Sequence, residues 1–137
     1  MPGEVRLAIA VIVAHAAVSA VHGTAHHRLS IALTPAQALF VEVVILVAPV
    51  VAGLLLWRGV RRSGGALLMS SMFGALAFGV WNHFVAQSPD NVSDTPTGTW
   101  GTIFQLTAIL LALIEAWGCW VGFRVLQRPA AINSAAG

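Results

Sequence analysis

The sequence predicts an all-α integral membrane four-helix bundle, running up-down-up-down with both termini in the cytoplasm. Three observations predict it. Hydrophobic residues make up 58% of the 137 residues and charged residues only 9%, where soluble domains carry about 25% charged. The hydrophobic residues gather into four runs, each close to the roughly 20 residues that a helix needs to cross a hydrocarbon core. Arginines then cap those runs on one side. The length suits a single domain spanning 1–137.

The runs cover about 5–25, 36–57, 66–85 and 102–125. Lipid offers the backbone no hydrogen-bond partners, so each run should be a helix; the alternation of a membrane β-strand is absent. Thr34-Pro35-Ala36-Gln37 predicts the start of the second, with a capping Thr, Pro at the first helical position and Gln three residues after the cap. Thr102 and Gln105 have capping-box spacing at the start of the fourth. Arg61-Arg62-Ser63-Gly64-Gly65 reads as a tight polar turn. The longest loop, Ser88 to Gly101, carries the turn formers Pro89-Asp90-Asn91, then Pro96 and Gly98. Its Asn91-Val92-Ser93 sequon is a weak signal.

Orientation follows from the arginines. Arg6, Arg58, Arg61, Arg62, Arg124 and Arg128 fall on one side of a four-pass arrangement, and Arg28 alone on the other. The positive-inside rule makes the first side cytoplasmic, in a bacterial-type inner (plasma) membrane. Trp57, Trp81 and Trp100 fall near the interfaces. The first run also admits a signal-peptide reading, with Val18-Ser19-Ala20 as a cleavage site; its flank of one arginine offset by Glu4 speaks against that. Lysine is absent, so the pI near 10.1 reflects topology and not nucleic-acid binding. A single cysteine, Cys119, excludes an intrachain disulfide and any CxxC pair. The expected partners are the lipid bilayer and either further copies of the chain or a larger membrane complex.

Insertion alone does not explain the ionisable residues within the runs. They are His15 and His22, Glu42, His83 and Glu115, with His26 and Gln105 at the edges. A carboxylate at mid-span costs roughly 2.5–3.5 kcal/mol. At 100° per residue His15, His22 and His26 fall within about 40° of one another, on one stripe. Glu42 aligns with Pro49 and Gly53. His83 continues the small-residue ladder Ser71, Ala75, Gly79. Glu115 shares a face with Ala108, Ala112, Cys119 and Gly122, and Gly118 and Gly122 form a GxxxG pair for close helix packing.

Imidazoles and a carboxylate on facing helices form a metal-ligand set. His22, His26, Glu42 and His83 are the candidate ligands, for iron, copper or zinc. His22 and His83 are the candidate axial ligands of a haem b instead. Glu115 and His15, nearer mid-bilayer, are the candidate catalytic pair. A structural reading stands beside each: His27 as an interfacial residue, Glu42 with His83 as a polar pair pinning two helices, Cys119 as packing. Three functions compete. One is an intramembrane metal or haem protein for redox or oxidative chemistry. Another is a proton-coupled transport element using Glu42 and Glu115. The third is a non-catalytic small subunit or assembly factor.

His22-Gly23-Thr24-Ala25-His26-His27 resembles one histidine box of the membrane fatty acid desaturases and hydroxylases. The likeness covers six residues. Those enzymes combine several boxes, and this chain holds five histidines in all, so their activity is not carried over. Four short spans with inward histidines also look like haem b membrane anchors, in architecture alone. Small multidrug transporters are of similar size but place their key glutamate in the first helix.

Overall fold

The computed structural model describes residues 3–127; Arg128 lies outside them. The chain is 82% helical, with no strands among the described residues. Four helices are long and apolar enough to cross a membrane: α1 (Gly3–Arg28), α2 (Pro35–Trp57), α3 (Arg61–Val85) and α4 (Thr99–Gln127). α4 packs along both α1 and α3, α2 packs along α3, and α1 meets α2 through Ala48–Trp57.

The bundle has two unlike ends. One is an apolar core of Val5, Ala8, Val11 and Ile12 from α1, Ala52 and Leu56 from α2, Leu68 and Met72 from α3, and Val121 and Val125 from α4. Arg61 ties this end together through Glu4, at 3.2 Å. The other end holds His22, Asn82, His83 and Asp90, all buried. Large apolar side chains cover the outside; Phe73 and Leu113 are 65% and 64% exposed. A lipid surrounding accepts such a surface and leaves little hydrophobic drive for helices to associate, so close contact between small residues must hold them. Gly122 shows it, since a Cβ there would sit 2.7 Å from the Met69 backbone nitrogen.

The α2 cap forms as its sequence predicts: Gln37 N–H donates to Thr34 Oγ1, and Thr34 N–H donates to Gln37 Oε1. Two other boundaries differ. Arg61 to Gly65 is the first turn of α3 and not a loop; the reversal is made just before it, where Gly59 takes φ +83°. Gly64 and Gly65 are small for packing instead, against Leu56 and against Val125. α4 begins at Thr99, ahead of Thr102, because Gly98 at φ +127° turns the chain and Gly101 lets the Pro96 carbonyl come close. Gln105 therefore cannot cap; its amide donates to the Val92 carbonyl at 2.9 Å.

Two stretches widen to π-helix, Val41–Val47 in α2 and Trp81–Val85 in α3. Ala48 N–H reaches back to Val43 O, and Ala86 N–H to Trp81 O, each spanning five residues. Such a turn advances fewer degrees per residue than an α-helix and changes which residues share a face. The first stretch decides where Glu42 points.

Candidate metal centre

His22 and His26 lie one turn apart on α1, so both face α3 and α4. His83 comes from the π-helical end of α3. One nitrogen of each lies within 4.8 Å of a nitrogen of the others. His22 Nε2 and His83 Nε2 are 3.3 Å apart. Phe104 of α4 floors the group, stacked on His22 with ring centroids 4.8 Å apart.

Hydrogen bonds orient these rings, and His26 Nδ1 lies 3.5 Å from the Ile31 carbonyl. His22 Nδ1 lies 2.8 Å from Thr107 Oγ1, and the Thr107 hydroxyl gives its proton to the Ile103 carbonyl at 2.7 Å. The hydroxyl must then accept, so His22 carries its proton on Nδ1. His83 Nδ1–H donates to the Asp90 carbonyl at 2.9 Å. In neutral rings both Nε2 atoms then carry lone pairs, and they face each other. Metal bonds of 2.0–2.1 Å set two tetrahedral ligands about 3.3–3.4 Å apart. The His22–His83 pair already has that separation.

Asp90 is the residue that sequence reasoning missed. It is 6% exposed, and its Oδ1 lies 3.2 Å from His26 Nε2 and 3.3 Å from His83 Nδ1. Neither carboxylate oxygen makes a well-aligned hydrogen bond. A buried carboxylate in that condition calls for positive charge nearby. The loop that carries it is pinned: Val92 N–H donates to His83 O, Asn91 Nδ2 to Ala86 O, and Ser93 N–H to Asn91 Oδ1. The sequon asparagine is thus buried and fully engaged. Asp90 follows His83 by only seven residues among turn formers, which is the one signal that pointed to it.

The other sequence candidates divide. His15 Nε2 and Glu115 Oε1 form a buried pair at 3.3 Å. Glu42 does not join the histidines: it is exposed, at the start of the π-helical stretch of α2, and does not pair with His83. Its alignment with Pro49 and Gly53 assumed α-helical steps across residues 41–47. Gln37 and Asn82 link α2 to α3 instead, at 3.1 Å. His27 is exposed, and Cys119 is half-buried with its thiol toward Met69 O.

Beside the histidines lies a cavity of about 480 Å³ lined from all four helices. His22, His26, His83 and Asp90 line it, as do Ser19 and Glu115; most of the remaining wall is apolar.

Fold and site together define a class: an all-helical protein with four helices long and apolar enough to cross a membrane and three histidines close enough together that they could hold a metal ion. Comparison with protein-family models, curated proteins and solved structures returned no match.

Proposed function

We propose that this chain is a multi-pass membrane metalloprotein that binds a divalent transition metal through His22, His26 and His83, with Asp90 supporting them, for redox or oxidative chemistry on a lipophilic substrate. One observation carries the reading. Two imidazole Nε2 atoms stand 3.3 Å apart beside a third histidine and a buried carboxylate without aligned hydrogen bonds. With both ring protons on Nδ1, a cation between the two Nε2 atoms takes both lone pairs and offsets the Asp90 carboxylate. His83 Nδ1–H on the Asp90 carbonyl matches the outer hydrogen bond that fixes the tautomer and orientation of a metal-ligating histidine. Neutral imidazoles suit iron, copper and zinc. Three nitrogens converging on one point favour a bare ion over haem b, which takes axial ligands on opposite faces of a plane.

The arginine rim supports, by the positive-inside rule, an orientation with the apolar core on the cytoplasmic side, the histidines toward the extracytoplasmic side and both termini inside. In that orientation Trp57 and Trp81 fall near opposite interfaces.

Metal analysis of protein purified without added metal tests the reading. Close to one transition-metal ion per chain is expected, falling below a tenth in His22→Ala and in His83→Ala. Wild-type protein that takes up no metal when reconstituted, or that keeps its metal in both variants, overturns it. A Soret band would replace the bare ion by haem.

A further inference from the structure

The cavity joins the histidines to a second polar group that the metal reading leaves unused. A methyl group placed on Gly79 would stand 3.8 Å from Glu115 Oε2 and 3.8 Å from His83 Cδ2. Those two atoms are therefore at most about 7.6 Å apart, twice 3.8 Å. Glu115 thus faces the histidines across a gap beside Gly79, which lines the cavity. His15 backs Glu115, and Ser19 contributes a buried hydroxyl with no hydrogen-bond partner to the same cavity.

The rest of the wall is apolar, with Val41, Ile45 and Leu46 from α2, Phe78 from α3 and Leu111 from α4. The exposed lining residues Gly23, His27, Ala38 and Leu46 lie on α1 and α2, which places the mouth between these helices. A volume of about 480 Å³ falls within the range of small-molecule sites and holds one lipid chain but not two. Two buried carboxylates, Asp90 and Glu115, flank the polar end. They disfavour an anionic head and leave hydrogen-bonding places for a neutral oxygen.

We propose that the gap over Gly79 receives the neutral oxygen head, hydroxyl or carbonyl, of a single-chain lipid that enters between α1 and α2 from the bilayer. The head lies between the histidine centre and Glu115, and the chain lies against Ile45, Leu46 and Phe78. This rests on the metal reading for one side of the head's surroundings; the cavity, Ser19 and Glu115 are independent of it.

The test uses hexadecanol carrying a diazirine in its chain, photolysed with the whole protein in nanodiscs, with labelled residues located by tandem mass spectrometry. Labelling at Ile45, Leu46 and Phe78 is expected to exceed that at lipid-facing Phe73 and to be displaced by excess hexadecanol but not by equal palmitate. Gly79→Ala should cut it at least fivefold with metal content unchanged, since the methyl stands at ordinary contact distance from its neighbours. Labelling no stronger than at Phe73, no displacement by hexadecanol, equal displacement by palmitate, or an indifferent Gly79→Ala each overturns the proposal. Metal-loaded protein without labelling overturns it alone. Labelling of protein that binds no metal supports the lipid site and overturns the metal reading.

Discussion

Replacing Asp90 by asparagine should change the metal-free and metal-loaded proteins in opposite directions. The substitution keeps the shape and removes only the charge. In the loaded protein the carboxylate, 3.2 Å from His26 Nε2 and 3.3 Å from His83 Nδ1, offsets the charge of the cation. Losing such an outer partner costs about 10–100-fold in metal affinity, or about 1.4–2.7 kcal/mol. In the metal-free protein Asp90 is a buried carboxylate without an aligned hydrogen bond, and replacing it by an amide of the same shape is stabilising or neutral. The measurements are competition against a chromophoric chelator and thermal unfolding in one detergent, with and without metal. Affinity should fall at least tenfold while the metal-free melting temperature holds or rises by a few degrees. An Asp90→Asn protein that binds metal as tightly as wild type, or that loses stability equally in both states, refutes the reasoning.

Thr107→Val removes the acceptor that fixes the His22 ring; metal affinity should drop about tenfold with a small change in stability, checked by the same competition. Gly122→Ala places a methyl 2.7 Å from the Met69 backbone and must move α3 from α4; overpacking of this kind costs about 1–3 kcal/mol, read as a lower melting temperature, whereas Gly23→Ala, with open space at its Cβ, should be neutral. Glu42→Gln should leave metal content unchanged, because Glu42 stands outside the histidine group; a proportionate loss in metal analysis would return it to the site. In proteoliposomes, proton flux driven by a pH step should match that of Glu115→Gln, and a marked difference would favour transport.

What the sequence makes legible follows from which geometry is regular. The four apolar runs, the Thr34 cap, the stripe of His15, His22 and His26 and the ladder leading to His83 all depend on α-helical spacing, and α-helix is what most of the chain adopts. Glu42 was misplaced because seven residues of α2 are π-helical, and no feature of Val-Glu-Val-Val-Ile-Leu-Val announces that. Gly64 and Gly65 read as a turn because their composition is that of a turn; their packing against Leu56 and Val125 is a tertiary fact. Asp90 was unreadable as a site residue because its place depends on how a loop folds back. Thr107 was hidden by being an ordinary hydroxyl in an apolar helix, where such residues usually bond their own backbone, as this one also does.

The contrast between the two ends bears on the choice among functions. Transport needs polar groups or water on both sides of Glu115. On the histidine side they are present: Ser19, the three imidazoles and Asp90 share the cavity with it. Toward the arginine end, Glu115 is followed by Leu68, Met72, Val121, Val125, Val5 and Val11, all buried among one another. The polar groups at that level, Ser71 and Cys119, turn inward to the carbonyls of Leu68 and Met69. Gly118 and Gly122 bring α4 close against Met72 and Met69. The polar residues therefore lead into the protein and stop, which is the layout of a site that receives a molecule from one side. A structural subunit explains the packed half equally well. It gives no reason for placing three histidines and two carboxylates, each costly to bury, around a cavity in the other half.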